Sequence, residues 1–249
     1  MARIDYDEMA PDYDRGRALS PGALNDLRTA LADYLPADSA GPVLDLGCGT
    51  GQFALLLAEW FGVEVIGVEP SRGMRGEAKA KATHRLMRYV GGRAEEIPLR
   101  TASCCIAWLA HMVHHVDDLQ RCMREVRRVV MPGGRLLIHG AFPDRFDDLT
   151  MFEFWPSAAK AVEDFPTREF TIEACIAAGF EVENLLSLPQ VTAPSLRDYF
   201  EKAKSRADTS LTLISDEEFE RGLRALECAA EGETEPRPVI DHLDLLVLR

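Results

Sequence analysis

The sequence predicts an α/β protein built on one doubly wound sheet of seven strands, and three observations carry that prediction. In Pro42-Val43-Leu44-Asp45-Leu46 an apolar run surrounds a single acid and enters the turn Gly47-Cys48-Gly49-Thr50-Gly51; Gln52 to Trp60 then has the look of a packed helix. Val65-Ile66-Gly67-Val68-Glu69 repeats the apolar strand and again closes on an acid. Further short apolar runs alternate with helical patterns along the chain, the order that places helices on both faces of a mostly parallel sheet. With 249 residues, 47% hydrophobic and 28% charged, the chain is long enough for one domain with a full core.

Taken in order, residues 3–17 are a polar, aromatic arm ahead of a helical pattern from Pro21 to Tyr34. After the glycine turn and the second strand, Pro70-Ser71 opens a helix, with Ser71 near its cap. Leu86 to Val90 reads as the third strand, ended by Gly91-Gly92, and Cys104 to Leu109 as the fourth. Asp117 is expected to cap an amphipathic helix (Leu119, Cys122, Met123, Val126, Val129, Val130) that stops at Pro132-Gly133-Gly134. Arg135 to Gly140 is the fifth strand, and the aromatic stretch from Phe142 to Phe165 is expected to be local core before it is pocket. A helix from about Thr171 to Ala178, stopped by Gly179, leads into a sixth strand, Phe180 to Leu186, and His242 to Leu248 reads as the seventh. Pro194 to Pro238 is an insertion outside the sheet with two capped helical patterns, suited to a lid or a homodimer surface, and Glu231 to Glu235 is expected to be a solvated loop.

The glycine turn is built to hold something. Residues without Cβ let the backbone approach a ligand, and the helix amides behind them favour an anionic or electron-rich group. The spacing is G-x-G-x-G with no lysine after it, which argues against the pyrophosphate of a dinucleotide and against a triphosphate. Asp45 and Glu69 suit a ligand with an amine at one end and a ribose diol at the other. Glu69 lies about twenty residues beyond the glycines, where an acid meets ribose hydroxyls in nucleotide-binding βαβ units.

Val43 to Gly51 together with Glu69 resembles the class I S-adenosylmethionine-dependent methyltransferases. Gly92 to Leu99 and His114-His115-Val116-Asp117-Asp118 are similar to its small-molecule, type 11-like branch, so the resemblance covers roughly residues 40 to 140. It implies a Rossmann-like sheet whose last strand is antiparallel, S-adenosylmethionine as cofactor and S-adenosylhomocysteine as product. It places Asp45, Gly47, Gly49 and Glu69 on the cofactor. It also implies that the arm folds over that cofactor with Tyr13 and Arg17 near the methionine carboxylate, the arginine through two parallel hydrogen bonds. Met74 is expected against the adenine, with a plain core methionine as the alternative, and Ala94 and Glu95 at the adenine edge through backbone amides. The chain departs from the family at Arg93 and Cys105, where relatives carry Asp; adenine recognition and a buried structural acid are affected. The expected organisation is one methyltransferase domain over 1–249: arm and helix in 1–36, cofactor-binding core in 40–140, helical cap in 194–238.

Ligands of open α/β sheets bind at the carboxyl ends of the strands, so Leu109 is expected to line the cofactor and the histidines after it to lie near the reacting methyl group. A metal is not expected at His111, His114, His115, Asp117 and Asp118, whose spacing matches no recurring site. A structural bond from His115 to a backbone carbonyl is one reading. General base is the other, with His114 first and His111 second, because imidazole titrates near neutrality.

A formal charge of −13 repels a phosphate backbone, so nucleic acid is not an expected partner. Arg121, Arg124, Arg127 and Arg128 read as the solvated face of one helix. The six cysteines show no C-x-x-C and fit buried thiols in a reducing compartment. No apolar run reaches the roughly twenty residues that span a bilayer, and the N-terminus has no signal-peptide core, so membrane association is not expected and the location read is cytoplasmic. The expected function is methyl transfer to a small organic acceptor through oxygen, nitrogen or carbon. The alternative is a protein of the same fold that keeps S-adenosylmethionine as a structural or regulatory ligand, or catalyses a rearrangement. A nicotinamide dehydrogenase is disfavoured by the glycine spacing.

Overall fold

The structure, a computed structural model, describes residues 6–10, 13–14, 19–35, 41–82, 85–206 and 208–249. Strands β1 (Val43–Leu46), β2 (Val65–Glu69), β3 (Met87–Gly91), β4 (Cys104–Ala110), β5 (Val130–Gly140), β6 (Val182–Ala193) and β7 (Val239–Leu248) form one seven-stranded sheet. Their order is β3-β2-β1-β4-β5-β7-β6. The first five are parallel, and β7 runs antiparallel between β5 and β6. The chain order reverses between β1 and β4, the switch point at which doubly wound sheets open a crevice.

Alternation along each strand sends side chains to two layers. Leu44, Leu46, Leu109 and Ile138 face one side, with Met123 and Val126 of α5 (Leu119–Val129) in the same core. Val43, Trp108 and Leu137 face the other, with Leu27 and Leu31 of α2 (Pro21–Ala32) and Leu57 of α3 (Gln52–Phe61). Helix α4 (Arg72–Lys81) follows β2, capped by Ser71, whose hydroxyl accepts from Met74 N at 3.0 Å. A one-turn α1 (Tyr6–Met9) precedes them all.

The insertion does not stand alone as the cap expected from sequence but shares a second core with two helices that follow β5. Helices α6 (Met151–Phe154), α7 (Pro156–Ala161), α9 (Leu196–Ala203), α10 (Thr209–Thr212) and α11 (Asp216–Glu231) gather around Trp155, Tyr199, Phe219 and Leu226. Between them in sequence, α8 (Arg168–Ala177) packs beside α5. Helix α11 starts with a full capping box, Ser215 with Glu218. Trp155 Nε1 donates to Phe219 O at 2.9 Å, and the two rings stack at 6.0 Å. A Cβ on Gly222 would overlap the Trp155 indole. Gly222→Ala is therefore expected to destabilise the protein by roughly 1–3 kcal/mol, although alanine in a helix interior is normally better than glycine by about 1 kcal/mol. A raised melting temperature would contradict this packing.

Several boundaries differ from the sequence expectation. The cap of α5 is Asp118, which accepts from Arg121 N at 2.9 Å, while Asp117 pairs with Arg93 at 2.7 Å. Pro132-Gly133-Gly134 does not end a helix but lies inside β5, which begins at Val130 opposite Cys104. The pairing shifts register there, and a Cβ on Gly134 would run into Cys105 O, so the bulged strand passes its neighbour too closely for a side chain. Helix α8 starts at Arg168 behind the cap Thr167. Strands β6 and β7 are longer than expected, and Pro189 is accommodated because β6 is an edge strand. The face of α5 is not simply solvated: Arg128 donates to Ile97 O and Leu99 O, and the Arg127 guanidinium lies 5.5 Å over the Phe180 ring. All six cysteines are free thiols, and Cys228 is exposed rather than buried. Among the described residues no helix is long and apolar enough to cross a membrane.

Candidate active site

The turn after β1 is possible only with glycine at its corners. Gly47, Gly49 and Gly51 all have positive φ (71°, 53° and 80°), and a Cβ on Gly47 would sit 2.9 Å from Met112 Cβ. Gly49 differs: a Cβ there meets nothing within 4 Å, and the residue borders a cavity. Its amide donates to Glu69 Oε2 at 3.1 Å, while Ser71 N donates to Glu69 Oε1 at 2.9 Å. One buried carboxylate thus joins the glycine turn to the start of α4. Burial raises the Glu69 pKa and the two backbone amides oppose that rise. An ionised carboxylate has about four acceptor positions, so roughly two remain for a ligand.

The cavity measures about 720 Å³ and opens at the carboxyl ends of β1, β2 and β4, within the roughly 300–1,000 Å³ of small-molecule sites. It brings together most of the residues singled out from sequence. Gly47, Gly49 and Glu69 line it from the first two strand ends, Met74 from the first turn of α4, and Ala94 and Glu95 from the loop after β3. His111 and His114 line it from the loop after β4, and Tyr13 from the arm. Asp45 and Leu109 are not in the wall: at 2% and 0% exposure they lie one residue short of the strand ends, where Leu46 and Ala110 take the lining places. Arg17 lies outside the described residues.

Asp45 nonetheless bears on the site from below. Burial, and then the charge of Glu69, push its pKa up to about 7. Its Oδ2 has no partner, nor has Nε1 of Trp108, its register partner on β4. Trp108 stacks on His139 at 5.8 Å, and burial drives the His139 pKa down to about 4. That ring is neutral at physiological pH and donates through Nδ1 to Asp244 O at 3.1 Å.

The histidine segment is shaped by backbone strain. His111 has φ +52°, a left-handed conformation that costs a non-glycine residue on the order of 1 kcal/mol, and its amide bonds to His139 O at 2.8 Å. Its ring lies 5.3 Å from His139 and 6.3 Å from Phe53. A 3₁₀ turn, Val113–His115, then presents two rings 4.0 Å apart, with His114 stacked on Phe165 at 4.9 Å. His115 Nε2 lies 2.9 Å from Tyr6 Oη. Among the described residues, no three His, Cys, Asp or Glu side chains gather in a metal-holding group. Arg93, at the family departure, lines the cavity and pairs with Asp117 and, at 3.5 Å, with Glu95.

Sequence reasoning missed the anchors of the arm. Asp7 accepts from Ser71 Oγ and from Gly73 N at 2.7 Å, so it caps α4 from outside; those bonds hold its carboxyl below the usual range. Asp14 joins Thr50 of the glycine turn to Lys81 at the end of α4. Tyr6, Phe165, Thr209 and Leu213 also line the cavity, the last two from the insertion. No local pattern announces a cap supplied by a residue 66 positions away.

The profile of a family described as "Methyltransferase domain" matches residues 44–138. A ubiquinone/menaquinone biosynthesis C-methyltransferase of Syntrophotalea carbinolica is 36% identical over 138 residues, 53% of this chain and 58% of that protein. The chain thus spans little more than half the length of that relative. A 27-O-demethylrifamycin SV methyltransferase of Amycolatopsis mediterranei is 26% identical over 226 residues, covering 84% of this chain and 79% of the other. Among solved structures, a protein of Anabaena variabilis described as a methyltransferase from an antibiotic biosynthesis pathway superposes with a TM-score of 0.72 at 19% identity. That match covers 91% of this chain and 99% of the other, and it shows the shared fold.

Proposed function

We propose, for a chain that belongs to the class I S-adenosylmethionine-dependent methyltransferases, that the cavity holds S-adenosylmethionine and that the protein methylates a small organic acceptor. The observation that carries this reading is the Glu69 carboxylate at the cavity wall, tied to Gly49 N and Ser71 N beside the open face of Gly49. The residues present fit the group: an acidic acceptor for a ribose diol, glycines that leave room for it, and no phosphate-binding loop. Glu69 would take the ribose hydroxyls, Ala94, Glu95 and Met74 the adenine, and Gly47, Gly49, Tyr13 and Arg17 the methionine end. Asp45 supports the turn from beneath, and Leu109 backs it from within the sheet. The bound cofactor supplies a methyl group already activated on a sulfonium sulfur.

The chain's own contribution is then mainly alignment. Holding an acceptor against the reacting carbon removes most of the entropic barrier, and a base adds about 10²–10⁴-fold where the acceptor must lose a proton. His114 and His111, placed at the cavity, are candidates for that base, and His115 joins them through Tyr6. The names of the relatives, one a C-methyltransferase and one a methyltransferase of a demethylrifamycin, support a small acceptor. The same names speak against the non-methylating alternative.

The test is a screen with labelled S-adenosylmethionine against hydroxyl, amine and carbon acceptors. Acceptor-dependent formation of S-adenosylhomocysteine is the expected result. Tight cofactor binding with no turnover on any acceptor would favour the alternative instead.

A further inference from the structure

Three distant parts of the chain meet at one hydroxyl. Tyr6 comes from the arm, His115 from the turn after β4 and Thr209 from the insertion. Tyr6 Oη lies 2.9 Å from His115 Nε2 and 3.4 Å from Thr209 Oγ1, and all three residues line the cavity. The Tyr6 ring stands edge-on to His115 at 5.3 Å and to Tyr13 at 6.3 Å, so its position is fixed from two sides. The arm that carries it is held down on α4 by Asp7.

A phenol is a poor base near neutrality, with an ordinary pKa of about 10, but beside an imidazole of about 6.5 it is a path for protons. Its hydroxyl can release one proton to the ring nitrogen while taking another from the cavity side. Resting on the methyl-transfer reading above, we propose that Tyr6 and His115 form a proton relay. The acceptor is then one whose nucleophilic oxygen or nitrogen carries a proton.

The acceptor's lone pair forms the bond to the methyl carbon as the carbon–sulfur bond breaks, its electron pair staying on sulfur. The proton leaving the acceptor passes to Tyr6 Oη as the Tyr6 proton moves to His115 Nε2. A neutral acceptor and a neutral imidazole become a methylated acceptor and an imidazolium, while the sulfonium becomes a neutral thioether. Tyr6 is the group that meets the acceptor, and His115 acts through it. Because Tyr6 sits on the arm, the relay exists only when the arm is folded over the site.

Tyr6→Phe keeps the ring and removes only Oη. With an acceptor found in the screen above, kcat is expected to fall about 10–100-fold, while the acceptor KM and the affinity for S-adenosylhomocysteine stay within about threefold. His115→Gln leaves Tyr6 a hydrogen-bonding partner but no basic nitrogen, and is expected to lose as much kcat. If the contact only latches the arm, the split reverses: affinity and KM suffer, kcat holds, and the relay is overturned. Loss of kcat in His114→Ala with Tyr6→Phe unaffected overturns it equally. A second measurement needs no acceptor: ¹⁵N NMR of His115, in the free protein and with S-adenosylhomocysteine, reports its tautomer. The relay requires a bare Nε2 with the proton on Nδ1, and a proton found on Nε2 refutes it. Failure of wild-type protein to bind S-adenosylhomocysteine at all is a different result, which removes the methyl-transfer reading itself.

Discussion

Replacing Glu69 with alanine is expected to lower the affinity for S-adenosylhomocysteine by about a hundredfold or more. Two effects combine. The ligand loses its acceptor for the ribose diol, and Gly49 N and Ser71 N lose the carboxylate that holds the glycine turn against the start of α4. Hydrogen bonds to a charged group contribute roughly 1.5–3 kcal/mol each, and a hundredfold change corresponds to about 2.7 kcal/mol. Glu69→Gln keeps one acceptor oxygen and should lose about tenfold. Titration calorimetry on the three proteins reads the series directly, and equal affinities would mean that Glu69 serves the loop alone. Because burial raises its pKa, Glu69 also becomes protonated earlier on acidification than an exposed glutamate, so wild-type affinity should weaken as pH falls.

The second large effect concerns stability. Asp45→Asn is expected to stabilise the protein by roughly 1–3 kcal/mol at pH 8 and to give no gain at pH 5. The Asp45 pKa is raised from 3.8 to about 7 by burial and by the charge of Glu69. A raised carboxyl contributes its full stability below 3.8 and loses it as pH rises through about 7, a span of roughly 4 kcal/mol at most. Asparagine resembles the protonated form and escapes that loss. Its amide then occupies the place where Oδ2 has no partner, and this residual cost brings the expected gain below the ceiling. Thermal denaturation at the two pH values is the measurement. A melting temperature lowered at pH 8, or raised equally at both, would contradict a buried charge at Asp45. If Asp45 also supports the cofactor, the stabilised variant should bind it less well, the usual exchange between stability and function.

These two residues also show what was legible before the structure. The strand, turn and helix from Val43 to Phe61 are local events, written in apolar periodicity and in glycines that adopt positive φ, and Glu69 follows from the spacing of a βαβ unit. The departures are tertiary. Pro132 to Gly134 reads as a stop, yet the segment is carried through β5 as a bulge, because Val130 and Arg135 on either side of it pair with Cys104 and Ile106 of a strand some thirty residues earlier. Asp45 and Leu109 were expected on the cofactor, but the sheet buries them one position below its rim. Asp7 is an unremarkable acid in an aromatic arm until it meets the amide of Gly73, and Tyr6 carries no signal until His115 and Thr209 surround its hydroxyl. The cavity floor could thus be read from sequence, while its cover depended on contacts between segments that no local pattern connects.

The measurement closest to the central claim is calorimetric titration of the wild-type protein with S-adenosylmethionine and S-adenosylhomocysteine, with NAD as the control. The geometry at Gly49 and Glu69 predicts micromolar binding of both sulfur nucleotides, about 8 kcal/mol, and none of NAD. Binding of NAD, or of neither sulfur nucleotide, would contradict the assignment of this cavity and the chemistry built upon it.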